Sequence, residues 1–277
     1  MGLPADLPSL RESLDAHGLM ARKSFGQHFL LDLNVTRKIV RQAMPFDGDA
    51  VIEVGPGPGG LTRALLESDA GRVIAIEKDR RFIALLDELS PHVPGRFTLI
   101  EADALGVDET QLLDGARGHV VSNLPYNVGT PLLIKWLTGK WRPRSMILMF
   151  QYEVARRIVA GTGEDAYGRL GIIAQAVCHC RLVMELPARA FTPPPKVDSA
   201  VVHLVPRDDA PSSERIQALE QITAKAFGQR RKMLRSSLKA MGGADLCAAA
   251  GIDADARAES VPVEGFIALA DAWLARR

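Results

Sequence analysis

Short apolar and β-branched runs recur along the first two thirds of the chain, interleaved with stretches of helical periodicity. Val51–Val54, Val73–Glu77, Phe97–Ala102, His119–Ser122 and Ser145–Phe150 read as strands. Leu61–Glu67 and Arg80–Leu89, which follow the first two, carry helix signals. Near-continuous apolar strands alternating with helices predict an α/β fold, a parallel sheet covered by helices on both faces. Two further apolar runs, Ala176–Glu185 and Ala200–Val205, have no long helix between them. They are joined through the proline-rich stretch Phe191–Lys196, which predicts an antiparallel pair at the sheet edge.

The pattern changes at Pro206-Arg207-Asp208-Asp209-Ala210-Pro211, a polar segment bracketed by prolines that reads as a linker. Helical patterns dominate beyond it, over Ser213–Ala226, Arg230–Ala240 and Val263–Ala275. Two domains are therefore expected, 1–206 carrying the sheet and 207–277 a small helical domain.

A chain of 277 residues, 47% hydrophobic and 24% charged, is long enough to bury a large core and too apolar to be disordered. No apolar run approaches the ~18 residues of a membrane-spanning helix. The start, MGLPADLPSL, lacks the basic and apolar regions of a secretory signal. Cys178, Cys180 and Cys247 form no CxxC pair and no zinc spacing. A cytoplasmic protein with no membrane partner and no metal is expected, and a monomer.

The glycine loop changes the picture. Glu53-Val54-Gly55-Pro56-Gly57-Pro58-Gly59-Gly60-Leu61-Thr62 follows the first strand and opens the first helix. Gly55, Gly57 and Gly60 satisfy the dinucleotide spacing GxGxxG, and Glu77 stands near the distance of a ribose contact, so a nicotinamide enzyme is the first rival. Three details favour S-adenosylmethionine. Glu53 just before the loop suits a cationic cofactor better than a pyrophosphate. Pro56 and Pro58 remove two N–H donors from an anion cradle. Asp103 follows the third strand, so acids finish three successive strands at the edge where open α/β sheets bind ligands.

After the fourth strand comes Ser122-Asn123-Leu124-Pro125-Tyr126-Asn127. The exocyclic amine of adenine or cytosine is a poor nucleophile, because its lone pair is delocalised into the ring. A side-chain oxygen and a backbone carbonyl that accept from both amino hydrogens move that nitrogen toward a tetrahedral, nucleophilic form. Proline fixes the backbone carbonyl, and tyrosine stacks on the base.

These blocks resemble the ribosomal RNA adenine dimethyltransferase family, most closely its bacterial small-subunit (16S) branch. The resemblance rests on Phe25–Leu30, Glu53–Thr62, Ile76–Asp79, Asp103–Leu105, Asn123–Leu133, Phe191–Val202 and Phe227–Leu238, in the family's order. It implies a Rossmann-like class I S-adenosylmethionine-dependent methyltransferase sheet with a C-terminal helical RNA- or ribosome-binding domain. The implied reaction dimethylates N6 of two adjacent adenosines of 16S ribosomal RNA within an immature small subunit. By the same resemblance His28, Leu30, Gly55, Gly57, Glu77, Asp103 and Asn123 would hold the cofactor. Glu77 would accept from both ribose hydroxyls and Asp103 from the adenine amino group. His28 stands where asparagine is commoner. Asn123, Leu124, Pro125 and Tyr126 would hold the target adenine, with Phe191 against its other face or a neighbouring base. A ribosome-assembly factor acting mainly by binding and a large-subunit RNA methyltransferase are the alternatives.

The net charge of +1 taken alone argues against RNA, yet it is a sum over segregated patches. Lys225–Lys239 holds six basic residues (Lys225, Arg230, Arg231, Lys232, Arg235, Lys239) and no acidic one. Read as one helix, it places 231, 235 and 239 on a shared face for phosphate contacts. Lys196, beside Phe191, is a further phosphate contact, with Arg22, Lys23, Arg156 and Arg157 as secondary candidates.

Overall fold

Strand β1 (Ala50–Val54) is buried from Val51 onward, as expected for a strand packed on both faces. It pairs in parallel with β2 (Arg72–Glu77) on one side and with β4 (His119–Asn123) on the other. β2 continues to β3 (Phe97–Glu101) and β4 to β5 (Ser145–Gln151), again in parallel. Two late strands, β6 (Cys178–Leu186) and β7 (Ser199–Pro206), complete the order β3-β2-β1-β4-β5-β7-β6. β7 is antiparallel to β5, with Gln151 opposite Ser199. This is a Rossmann-like α/β sheet. The coordinates are those of a computed structural model, which describes residues 3–4, 7–19, 28–229 and 231–276.

Helices α1 (Leu10–Ala16), α2 (Leu33–Arg41), α3 (Gly60–Leu66), α4 (Arg80–Asp87), α5 (Glu109–Leu112) and α6 (Gly129–Thr138) precede β5. Asp32 and Asp79 cap α2 and α4 by accepting from the backbone N–H groups of Asn34 and Arg81. The apolar faces of α2 and α3 join the sheet through Ile39, Val40, Leu65 and Leu66, which pack in one cluster with Val51, Val73 and Val121.

α7 (Tyr152–Val159) and α8 (Arg169–Val177) follow β5, and α9 (Ser213–Phe227), α10 (Leu234–Ser237), α11 (Gly243–Ala249) and α12 (Val263–Leu274) follow β7. The chain divides into two units, and the division corrects the expected boundary at 206/207. One unit comprises Met1–Trp136, Trp141–Tyr152 and Leu182–Leu204; the other comprises Leu137–Lys140, Glu153–Arg181 and Val205–Arg277. Glu153–Arg181 belongs with the tail because α8 supplies Ile172 and Ala176 to the core of Leu219, Ile222, Phe266 and Leu269. Within that unit the Tyr167 hydroxyl donates to the Val261 carbonyl at 2.9 Å, and Arg215 on α9 forks onto Asp271 on α12.

β6 and β7 are neighbours at the sheet edge, and Ala200–Val205 runs antiparallel to β5, but the other apolar run is part helix. Ala176 and Val177 end α8, which passes directly into β6 at Cys178. The expected helix Arg230–Ala240 is also broken. The N–H groups of Leu234 and Arg235 donate to the carbonyls of Ala256 and Ala254, and Met233 bridges Arg257. Tertiary hydrogen bonds replace the first turn, and only α10 and a 3-10 turn at Lys239–Met241 remain helical. No helix among the described residues is long and apolar enough to cross a membrane.

Candidate active site

The carboxyl ends of β1, β2 and β4 open into a cavity of about 380 Å³, well within the range of small-ligand sites. Parallel pairing places these ends together, and the Ser122 hydroxyl fastens them by donating to the Val54 carbonyl at 2.6 Å. The glycine loop and the Asn123–Tyr126 turn therefore share one cavity.

On the loop side, Gly55 and Gly57 line the wall. Gly57 has φ of 53°, and a Cβ there would stand 3.3 Å from the Phe29 ring. Gly60 begins α3 pressed against the segment 28–30, where a Cβ would lie 2.5 Å from the Leu30 carbonyl oxygen. The Gly57 N–H donates to Glu77 Oε2 at 3.1 Å, while Glu77 Oε1 accepts from the N–H groups of Lys78 and Asp79, both at 2.8 Å. A carboxylate has about four acceptor positions, so three backbone donors leave Glu77 able to accept from a ligand hydroxyl as well. Burial raises the Glu77 carboxyl above its ordinary pKa, against the pull of those donors.

Glu53 is 1% exposed and lines the same cavity. Burial pushes its carboxyl up to about 8; the Thr62 hydroxyl, donating at 2.6 Å, opposes the shift and nearby Glu77 adds to it. Asp79 is a third acid in the lining, and Lys78 is well exposed. Three acids against the exposed ammonium of Lys78 suit a ligand bearing positive charge and hydroxyl groups better than a pyrophosphate. Asp103 does not line it. It caps the 3-10 turn Ala104–Gly106 and pairs with Lys78 at 2.8 Å, which with the Leu105 N–H holds its carboxyl below the ordinary range.

On the other side, Asn123 ends β4, with Leu124 buried behind it. The Pro125 carbonyl accepts from the N–H groups of Val128 and Gly129, opening α6. Among the described residues no donor reaches the Leu124 carbonyl or the Asn123 side chain, leaving both as acceptors for a ligand amine. Tyr126 lines the cavity, and its hydroxyl lies 2.8 Å from Ser199 Oγ.

The segments around 28 and 191, far apart in sequence, meet through reciprocal hydrogen bonds between Phe29 and Thr192. This pairing brings His28, Leu30 and Phe191 into the lining. The His28 ring contacts the Pro193 carbonyl through Nδ1 at 2.8 Å; a carbonyl only accepts, so Nδ1 carries the proton. Sequence analysis assigned no individual site role to Lys78, Asp79 or Phe82, which line the cavity, or to Thr62. Phe82 stands in the first turn of α4, just past its Asp79 cap, and packs edge-on against Phe29 at 5.5 Å. That position beside β2 was the available signal.

The candidate RNA contacts separate. Lys196 is exposed in the sheet-bearing unit; Arg231, Lys232 and Arg235 are exposed in the helical one. Arg230 lies outside the described residues, as do Arg22 and Lys23. Because the helix is broken, 231, 235 and 239 do not share one helical face. Arg235 pairs with Asp255 at 2.9 Å, Arg156 with Glu164 at 3.1 Å, and Arg157 with Glu153.

A family model described as ribosomal RNA adenine dimethylase matches residues 18–274. A protein named ribosomal RNA small subunit methyltransferase A from Phenylobacterium zucineum is 69% identical over 271 residues, covering 98% of this chain and 94% of that one. Its namesake from Caulobacter vibrioides is 67% identical over 255 residues, 92% and 98% of the two chains. Among solved structures, a dimethyladenosine transferase from Plasmodium falciparum has the same fold, with a TM-score of 0.74 at 24% identity over 87% of this chain and 96% of that one. The 23S rRNA methyltransferase ErmE gives 0.68 at 24% identity, over 88% and 98%. The chain belongs to the ribosomal RNA adenine dimethylase family.

Proposed function

We propose that this protein dimethylates N6 of two adjacent adenosines in the 16S RNA of an immature small ribosomal subunit, in the cytoplasm, as a monomer, with S-adenosylmethionine as methyl donor. The carrying observation is the single cavity shared by the acidic glycine-loop wall and the Asn123–Tyr126 turn. Family membership supports the reaction, and the names of the relatives support the small subunit as its source of RNA.

The residues present fit the cofactor, since Glu53 is a buried acid without a cationic partner among the described residues. Bound there, S-adenosylmethionine supplies an electrophilic methyl group on a cationic sulfur. Glu53 faces the cationic end, Gly55 and Gly57 let backbone approach it, and His28 and Leu30 close the wall. Glu77 accepts from a ribose hydroxyl. Asp103, held beside the cavity by Lys78, accepts from the cofactor's adenine amino group.

Asn123 Oδ1 and the Leu124 carbonyl accept from the two hydrogens of the target amine, and Pro125 fixes that carbonyl. Tyr126 and Phe191 stack on the extruded base. The attacking amine is neutral, so the cation formed on methyl transfer sheds its proton to solvent without a dedicated base. Lys196, Arg230, Arg231, Lys232 and Arg235 contact phosphates in the helical and sheet-bearing units. Tritium transfer from methyl-labelled S-adenosylmethionine to small-subunit RNA tests this reading. Label in RNA supports it; nicotinamide turnover without label contradicts it.

A further inference from the structure

β7 runs opposite to the parallel strands, so its first residue lies at the edge where theirs end. That residue is Ser199, opposite Gln151 and fully buried. Its hydroxyl lies 2.8 Å from the Tyr126 hydroxyl, a bond spanning 73 residues of sequence. We propose that Ser199 is a positioning residue that fixes the plane of the Tyr126 ring for stacking on the target base. The proposal rests on the stacking role given to Tyr126 above.

A tyrosine ring at a turn is free to swing about two side-chain torsions, and a stacking platform gains from being held before the base arrives. The turn fixes the Tyr126 backbone through Pro125, and Ser199 fixes the far end of the ring from a strand locked into the sheet. A phenylalanine would fill nearly the same volume. The half-buried phenol is useful only if its hydroxyl has a partner, and Ser199 is that partner. Burial also raises the Tyr126 pKa, keeping the hydroxyl protonated and able to donate. The same stretch braces the neighbouring wall. Pro193 holds His28, whose ring centre lies 6.0 Å from that of Tyr126, and Asp198 accepts from the Ala188 N–H in the turn leading to Phe191.

The test is a double-mutant cycle on the full chain with small-subunit particles as substrate, reading kcat and, by calorimetry, S-adenosylmethionine affinity. Tyr126→Phe and Ser199→Ala should each lower kcat about tenfold, with cofactor affinity unchanged, and the double variant should fall no further. A Ser199→Ala enzyme with wild-type kcat overturns the proposal, as does a double variant about a hundredfold down, or cofactor affinity falling with kcat. Should Ser199→Ala be insoluble, Tyr126→Phe deletes the same bond from the cavity side, and wild-type kcat there is equally fatal. Tyr126→Ala separates the two levels. If it keeps full activity, the stacking reading itself fails. If it is inactive while Tyr126→Phe and Ser199→Ala match wild type, stacking stands and only the role of Ser199 is lost.

Discussion

The Thr62 hydroxyl donates a 2.6 Å hydrogen bond to the buried Glu53 carboxyl, tying the first turn of α3 to the end of β1 inside the cavity wall. This bond is too weak to offset burial, which keeps the Glu53 value near 8. A folded-state value above the unfolded one, near 4.5, has a definite sign. The Glu53 contribution to stability is fully present below pH 4.5 and is lost as pH rises toward 8. A cationic ligand favours the ionised carboxyl, so binding below pH 8 releases a proton. Affinity for S-adenosylmethionine should rise by up to about tenfold per pH unit between pH 6 and 8. Calorimetry in two buffers of different ionisation enthalpy measures this release. Glu53→Gln should abolish it.

Asn123→Ala removes one of two acceptors for the target amine while leaving the glycine loop and Glu77 untouched. Methylation should fall by at least about a hundredfold, the scale of losing an oriented polar group in the transition state. Cofactor affinity by calorimetry should stay within about twofold of wild type, about 0.4 kcal/mol. Affinity collapsing together with activity would remove Asn123 from the acceptor role.

Gly60→Ala places a methyl group against the Leu30 carbonyl. The backbone of 28–30 must shift, at a cost of about 2 kcal/mol typical of overpacking. Thermal unfolding should show a lowered Tm, and cofactor affinity should weaken because His28 and Leu30 move with that segment. Unchanged melting and binding would show that the contact is not tight.

Arg235 and Asp255 make a prediction of opposite sign to the usual loss. Neutralising Arg231 and Lys232 should weaken RNA binding and flatten its salt dependence, by about one unit of log–log slope for each phosphate no longer neutralised. Arg235→Ala should matter less, since its charge is already offset by Asp255. Asp255→Ala should tighten RNA binding by freeing Arg235. Filter binding across a salt series reads all three, and an Asp255→Ala protein that binds no better excludes Arg235 from the RNA surface.

The parallel strands were legible because an apolar run between polar loops has few alternatives, and their observed starts fall within a residue of the expected ones. The meeting of the Gly55–Gly60 loop with Asn123–Tyr126 was also legible, since both follow strands of one parallel sheet. What failed was what only tertiary contacts decide. Val177 reads as strand because a helix ending directly in a strand leaves an unbroken apolar run. Arg231 and Arg235 read as one helix face because Ala254 and Ala256, which capture the backbone there, are distant in sequence. The segment around 230 looks wholly basic until Asp255 arrives from another loop. Ser199 falls just before the apolar run Ala200–Val205, and nothing local shows that Tyr126 reaches it.

The central claim is tested most directly by mapping modified nucleotides. Immature small subunits lacking the modification are incubated with the protein and S-adenosylmethionine, and their RNA is digested and sequenced by mass spectrometry. Two adjacent N6,N6-dimethyladenosines in the small-subunit RNA, absent when Asn123→Ala replaces the wild type, are the expected result. Methyl groups on another atom, on large-subunit RNA alone, or on no nucleotide at all would contradict it.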